Sequence, residues 1–342
     1  MAFSSTEVSL ANTTLYPTFN RVVPSDTWQA LNLAELIGDF GWTHVSILYT
    51  TDDYAVGMTS SFRTAAAEND VNIVSIQSFR LVQSRYEPVD LTEEMSQIKQ
   101  ARTNINVLIA GNNASAFVAL RAATEAGIAG TDFVWVGVDA WFGNFFLAGA
   151  DQARRSTPGT QGPQGLTSDT VWPAREDCFC KDDEAEALVR QAANGAFGLN
   201  PLVNRRGPQW QRFLKAWKTT PRLTQSEVGL QSPINASESC PETCISEPSW
   251  MGAYAFDATV LLAKAWAKTL RDGGDPRDLT SGDLLQAIRT VSYTNGVRGL
   301  GFGLSLPAAT DPFLQVTGNV TLDSRRGNPA ANRYNVVQFQ DR

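Results

Sequence analysis

Between Ser25 and Trp141 the hydrophobic pattern switches repeatedly between a helical and an extended period. Leu15 to Arg21 reads as extended, because Pro17 fixes its own φ and biases its neighbour away from helix. Ser25 or Asp26 is a natural N-cap, and Trp28, Leu31, Ala34 and Ile37 with Leu33, Leu36 and Phe40 then recur at helical spacing. Gly41 supplies a left-handed stop. Val45, Ile47 and Leu48 form a short apolar run that Thr50-Thr51-Asp52-Asp53-Tyr54 breaks with polar groups, and Gly57 opens another helix. The alternation continues as strand 43–49, helix 57–69, strand 71–79, helix 90–102, strand 105–110, helix 113–126 and strand 132–138. Strands alternating with helices of this length predict a parallel sheet with right-handed crossovers, and apolar residues on both strand faces predict that helices cover it on both sides. A strand ending in clustered hydroxyls and carboxylates is where open α/β sheets hold ligands.

Beyond Trp141 the pattern loosens. Gly, Pro, Ser and Thr dominate residues 151–184, and the proline-containing insert 220–249 is irregular again. Helices are predicted at 183–195, 208–218, 250–271 and 281–291, and late strands at 318–323 and 333–340, flanking a turn at Asp323 to Asn328. No short-period repeat and no heptad run is present.

The 342 residues, 43% of them apolar, are enough for about two domains. A net charge of −7 argues against an extended nucleic-acid surface. No window approaches the roughly 20 apolar residues of a membrane span, and MAFSSTEVSL lacks the features of a signal peptide. Cys178, Cys180, Cys240 and Cys244 all lie in the irregular middle third, where two disulfides, a four-thiolate zinc site or free thiols are each compatible with the spacing. Asn12, Asn113, Asn235 and Asn319 begin N-x-S/T sequons, a number close to chance. The one histidine, His44, has no partner pattern for catalysis and reads as structural. Gly299, Gly301 and Gly303 superficially resemble a dinucleotide loop but neither follow a clear strand nor start a helix. Walker, zincin and nucleophile-elbow patterns are absent, so neither an enzyme, a cofactor nor a metal is predicted.

Four blocks in order carry a family resemblance. Tyr16-Pro17-Thr18-Phe19-Asn20-Arg21, Pro24-Ser25-Asp26, Gln29-Ala30 and Phe40-Gly41-Trp42 make the first. Phe133 to Trp141 makes the second, Tyr254 to Ala258 with Leu261-Leu262-Ala263 the third, and Val316 to Asp323 with Gly327 and Tyr334-Asn335-Val336 the fourth. Together they resemble the ligand-binding ectodomains of class C G-protein-coupled receptors, of the metabotropic glutamate and GABA-B type, with natriuretic-peptide-type receptor cyclases more distant. The resemblance implies the α/β, two-lobed type I periplasmic-binding-protein fold, the Venus flytrap, with parallel sheets flanked by helices. It assigns residues 1–24 to the end of lobe 1, 25–145 to lobe 2, 146–310 to a return through lobe 1, and 311–342 to closing strands mainly of lobe 2, the fourth block being the family's closing hairpin. Only about fifteen residues precede the Tyr-Pro block, where the family has roughly a third of its domain, so an incomplete first lobe is expected.

Site residues follow from the same resemblance. Asp139 matches a carboxylate that receives a ligand ammonium, although a turn or cap Asp is the plainer reading. Tyr54 matches a tyrosine that covers the ligand, against a simple exposed loop aromatic. Ser4, Ser5 and Thr6 resemble the hydroxyls that hold a ligand carboxylate, against a frayed terminus. Asn112 sits where strand-end amides could accept an anion, though helix capping explains it as well. Trp141 could stack on a ligand or serve as a hydrophobic anchor. The implied function is the extracellular, membrane-tethered part of a receptor that binds an amino-acid-like ligand, dimerises through lobe 1 and passes signal to a downstream transmembrane or cyclase segment. A soluble periplasmic-type solute carrier is the rival, and a Rossmann-like enzyme a more distant one.

Overall fold

The computed structural model describes residues 1–141, 183–203, 208–219, 250–275, 277–278, 282–291, 293–296, 318–320 and 334–338. After a short 3-10 turn at Val8–Ala11, the elements are α1 (Asp26–Asp39), β1 (His44–Thr50), α2 (Asp53–Glu68), β2 (Asn72–Phe79), α3 (Thr92–Gln100), β3 (Ile105–Ile109), α4 (Asn113–Glu125) and β4 (Val134–Gly137). There follow α5 (Asp183–Ala193), β5 (Phe197–Pro201), α6 (Pro208–Thr219), α7 (Trp250–Arg271), α8 (Gly282–Thr290), β6 (Tyr293–Gly296), β7 (Gly318–Val320) and β8 (Tyr334–Gln338).

The main sheet has six strands in the order β2-β1-β3-β4-β5-β8. The first five run parallel, and β8 closes the edge antiparallel to β5. This is a doubly wound α/β sheet, as the alternating pattern predicts. Helices α1 and α2 pack on one another, and α4 packs against both α3 and α5. Right-handed crossovers put these two groups on opposite faces. Val45, Ile47, Leu48, Val107, Leu108, Trp135 and Val136 are fully buried between them, which is why both strand faces are apolar.

Helix α1 shows how local chemistry and tertiary burial divide the work. Its buried face is Asp26, Gln29, Ala30, Leu33, Ala34 and Ile37. Trp28 and Phe40, which share the apolar spacing, stay 45% and 53% exposed. Gly41 takes φ +73° and donates its N–H to Gly38, the stop that the sequence predicts. Helix α2 begins four residues before Gly57, because Asp52 accepts the Ala55 N–H and caps the helix. Tyr54 therefore stands in a first helical turn and not in a loop.

Two differences from the sequence reading concern pairing. Residues 183–201, expected in the lobe-1 return, belong to this sheet and its core: Val189, Ala192, Phe197 and Leu199 are buried in it. The late strands do not form a hairpin with each other, since β7 pairs with β6 in a second, two-stranded sheet while β8 pairs with β5. Pairing is decided by which edge is open, and β5 offers β8 a continuous five-residue register from Phe197↔Gln338 to Pro201↔Tyr334.

A second core gathers Val22, Val23, Val203, Trp210, Phe213, Trp250, Tyr254, Leu261 and Leu284 from α6, α7, α8 and two connecting segments. The chain passes between the cores twice in the described residues. It passes once between Val23 and Ala30, and again between Leu199 and Val203. The two passages are tied together, as the Gln29 amide donates to the Leu199 carbonyl at 2.9 Å. Cys178, Cys180, Cys240 and Cys244 lie outside the described residues, as do the sequon Asn235 and the glycines at 299–303.

Candidate ligand-binding site

The C-terminal ends of β1, β3 and β4 open on one side of the sheet. Between β1 and β3 the strand order reverses, the position where open α/β sheets form a crevice. Thr50, the last residue of β1, accepts the Gly111 N–H at 2.9 Å and donates its hydroxyl to Asp52. One buried hydroxyl thereby joins two strand ends to the cap of α2. The fit leaves no room for a side chain at Gly111, where a Cβ would stand 2.6 Å from an Asp52 carboxylate oxygen.

Beside this crevice, where the two cores meet, four elements place titratable side chains together. Asp139 follows β4 and is 3% exposed. Tyr54, from the first turn of α2, donates its hydroxyl to Asp139 Oδ1 at 2.9 Å. Asp26, at the start of α1, is 1% exposed, and neither of its carboxylate oxygens meets hydrogen-bond geometry with a partner. Arg21 is fully buried, its Nη1 donating to the carbonyls of Ser5, Thr6 and Glu7 at 3.2, 2.8 and 3.0 Å. Tyr334 of β8 donates to the Ser25 carbonyl at 3.4 Å. The strap formed by residues 2–7 holds this arrangement from outside. Ala2 N–H donates to Asn20, Val22 N–H to Ala2, and Asp26 N–H to Thr6.

Burial sets the charge states. The Asp139 carboxyl is raised from the ordinary 3.8 to about 6, first by desolvation, against which Tyr54, Gln29 and the Ala140 amide pull as donors. Asp26 is raised well above its ordinary value, by desolvation and then by the neighbouring Asp139 charge, with the Thr6 side chain and Arg21 opposing. The Thr6 side chain lowers Asp26 by proximity, yet falls short of a formed hydrogen bond. Tyr54 and Tyr334 are half-buried, and both phenols are pushed well above 10 by desolvation and then by the two carboxylates. Burial also lowers Arg21, outweighing the Asp26 and Glu7 charges that favour its cationic form. Fully ionised, two carboxylates would face one guanidinium. Among the described residues such a cluster is short of positive charge and of hydrogen-bond donors, the two things an ammonium group supplies.

The residues expected at the site fall into two groups. Tyr54 and Asp139, 85 positions apart, are bonded to each other, and Thr6 is buried beside Asp26. Ser4 and Ser5 are exposed, and Ser5 contributes its backbone carbonyl to Arg21. Asn112 caps α4 by accepting the Ser115 N–H at 2.8 Å and ties down the Val82 carbonyl, the capping role weighed for it. Trp141 is fully buried and donates its indole N–H to the Leu108 carbonyl at 3.0 Å, so it anchors the segment after β4 to β3. His44 is exposed, its Nδ1 2.9 Å from the Thr43 hydroxyl. The reading of single residues missed Asp26, Gln29, Arg21 and Tyr334. A signal was available for the first two, since Asp26 and Gln29 fall on the apolar face of α1 at the same period as Ala30, Leu33 and Ile37.

Over residues 1–342 the chain matches the family described as the receptor family ligand binding region. The chain belongs to that family. This receptor ligand-binding region is 26% identical over 141 residues to metabotropic glutamate receptor 6 of Oryctolagus cuniculus, a match covering 41% of the chain and 16% of that receptor. The Mus musculus receptor of the same name matches with the same identity and coverage. Metabotropic glutamate receptor-like protein E of Dictyostelium discoideum is likewise 26% identical over 141 residues, covering 41% of the chain and 17% of the relative. The matched segment thus spans about a sixth of each relative's length. The doubly wound sheet fits the periplasmic-binding-protein-like fold of a class C receptor ligand-binding region. The family is one of receptor domains and not of enzymes. Among the described residues no helix is long and apolar enough to cross a membrane.

Proposed function

We propose that this protein is the extracellular ligand-binding region of a membrane receptor, and that it binds a small amino-acid-like ligand between two lobes and signals by closing on it. The observation that carries the reading is the buried pair of carboxyls, Asp26 with both oxygens unpartnered and Asp139 bonded, among the described residues, to neutral donors, at the mouth of the sheet. A ligand ammonium would sit against Asp139 and Asp26, with the Tyr54 ring beside it. Thr6 and the neighbouring backbone of residues 4–6 would face the ligand's carboxylate from the other lobe. The paired passages at 23–30 and 199–203 support a hinge: few residues cross, and Gln29 keeps them together. A ligand that touches both sides favours the closed state only by its differential affinity for it.

In this reading lobe 2 comprises residues 25–141 and 183–201 with β8, and lobe 1 the α6–α8 core with the strap. Pairing with a second receptor chain through lobe 1, and coupling to a transmembrane or cyclase segment, complete the proposal. The test is a thermal-shift screen of the twenty common L-amino acids against the protein and its Asp139→Ala variant. Stabilisation of the wild type by at least one amino acid, lost in the variant, is expected. If no amino acid stabilises the wild type, or if Asp139→Ala responds unchanged, the assignment is wrong.

A further inference from the structure

Among the described residues, two acids in this cluster are buried with too little positive charge to ionise together. Asp26 comes from α1 and Asp139 from the segment after β4, and they are 1% and 3% exposed. Several elements around them contribute to the charge balance. Among the described residues Arg21, from the passage into α1, brings the cation that acts on Asp26, and Glu7, capping the 3-10 turn, adds another negative charge nearby. Tyr54 from α2 and Tyr334 from β8 bring neutral phenols, and Tyr254 of α7 faces Tyr334 from the second core. Arg21 Nη1 is already engaged by three backbone carbonyls, and both Asp26 oxygens lack any hydrogen-bond partner. An ionised carboxylate in that setting has neither solvent nor donors, whereas a protonated one needs neither.

We propose that in the ligand-free protein Asp26 and Asp139 share one proton, and that an ammonium-bearing ligand enters in exchange for it. This rests on the amino-acid-binding reading of the same site. In the exchange a carboxyl O–H bond breaks and its proton leaves to solvent. The incoming ammonium keeps its three N–H bonds and donates them to carboxylate oxygens, and no electrons are transferred. The site then holds the two aspartates against a guanidinium and an ammonium, where the ligand-free site holds them against a guanidinium and a proton. Both acids are raised by desolvation, and Asp26 further by Asp139, in keeping with a single shared proton. The two tyrosines stay protonated throughout, because burial and the same carboxylates push them well above 10. Binding would therefore weaken on acidification, and a receptor built this way would report its ligand less well in an acidic compartment.

The experiment has two arms. In the first, the ligand-free protein carrying aspartate labelled at the carboxyl carbon is titrated by NMR, as wild type, Asp26→Asn and Asp139→Asn. One wild-type aspartate should remain protonated well above the ordinary carboxylate range, and removing either partner should lower the other's midpoint. In the second, L-alanine and L-glutamate are titrated calorimetrically between pH 5.5 and 8 in two buffers of different ionisation heat. Proton release approaching one per site is expected, with affinity rising by up to about tenfold per pH unit on the acid side. Asp26→Asn should release markedly less. Ordinary titration of both acids, or binding whose heat is the same in both buffers, overturns the exchange while leaving the amino-acid site standing. Failure of both amino acids to bind at any pH overturns the site itself, and the exchange with it.

Discussion

Replacing Asp139 by Asn should make the ligand-free protein more stable at neutral pH while weakening its ligand site. The substitution keeps the shape and, through its amide oxygen, the bond that the Tyr54 hydroxyl donates at 2.9 Å. What it chiefly removes is the charge. An acid whose folded pKa is about 6, against an ordinary 3.8, binds more protons in the folded state across that interval. Stability therefore falls as pH rises from about 4 to about 6 and stays low above it. The gap between the two values corresponds to about 3 kcal/mol at pH 7.5 and to about 1 kcal/mol at pH 4.5. Because Asp26 titrates together with Asp139 and would relax once its neighbour is neutral, the net gain at pH 7.5 should be about 1–3 kcal/mol. At roughly 2–4 °C per kcal/mol for a domain of this size, that is a rise of several degrees in Tm. Thermal unfolding of wild type and Asp139→Asn by circular dichroism at the two pH values measures it. A variant less stable than wild type at pH 7.5, or an equal gain at both pH values, would refute the burial argument.

Other substitutions test how the site is held. Gly111→Ala drives a Cβ to 2.6 Å from the Asp52 carboxylate and should cost about 1–3 kcal/mol, read as a fall in urea midpoint. Thr50→Val removes the hydroxyl that serves both Gly111 and Asp52, leaving a half-buried N–H unpaired, and should cost about 1–3 kcal/mol in the same assay. Trp141→Ala opens a void behind β3 and breaks the bond to Leu108, for a loss of about 3–5 kcal/mol by denaturant titration. Gly41→Ala meets no atom within 4 Å, so its cost should be the backbone strain of φ +73° alone, about 1 kcal/mol in thermal unfolding.

Most of the sheet was legible because its strands sit in the middle of a two-faced core. Val45, Ile47 and Leu48 and the run Val107 to Ile109 are apolar on both faces, with Ser46 and Asn106 as buried polar exceptions, and such runs between helical periods leave few alternatives. Strand β5 escaped notice because Phe197-Gly198-Leu199-Asn200-Pro201 contains three residues that strands disfavour, and its pairing with β4 and β8 comes from tertiary placement. The expected pairing of the last two strands failed for a related reason, since sequence proximity says little when another sheet edge is open. At the site, Tyr54 and Asp139 could be named one by one, but their bond spans 85 residues and only the fold brings it about. Asp26 looked like an ordinary N-terminal helix acid, which is usually solvated. Its burial depends on Arg21, on the strap of residues 2–7 and on Tyr334, whose positions no local pattern encodes.

The most direct measurement is a crystal structure of the protein with the amino acid that stabilises it in the thermal-shift screen. The ligand's ammonium nitrogen should lie within about 3 Å of Asp139 and Asp26 carboxylate oxygens, between the two cores and beside the Tyr54 ring. A ligand bound elsewhere, or one that turns another group toward the buried carboxyls, would contradict the assignment of this cluster as the ammonium site.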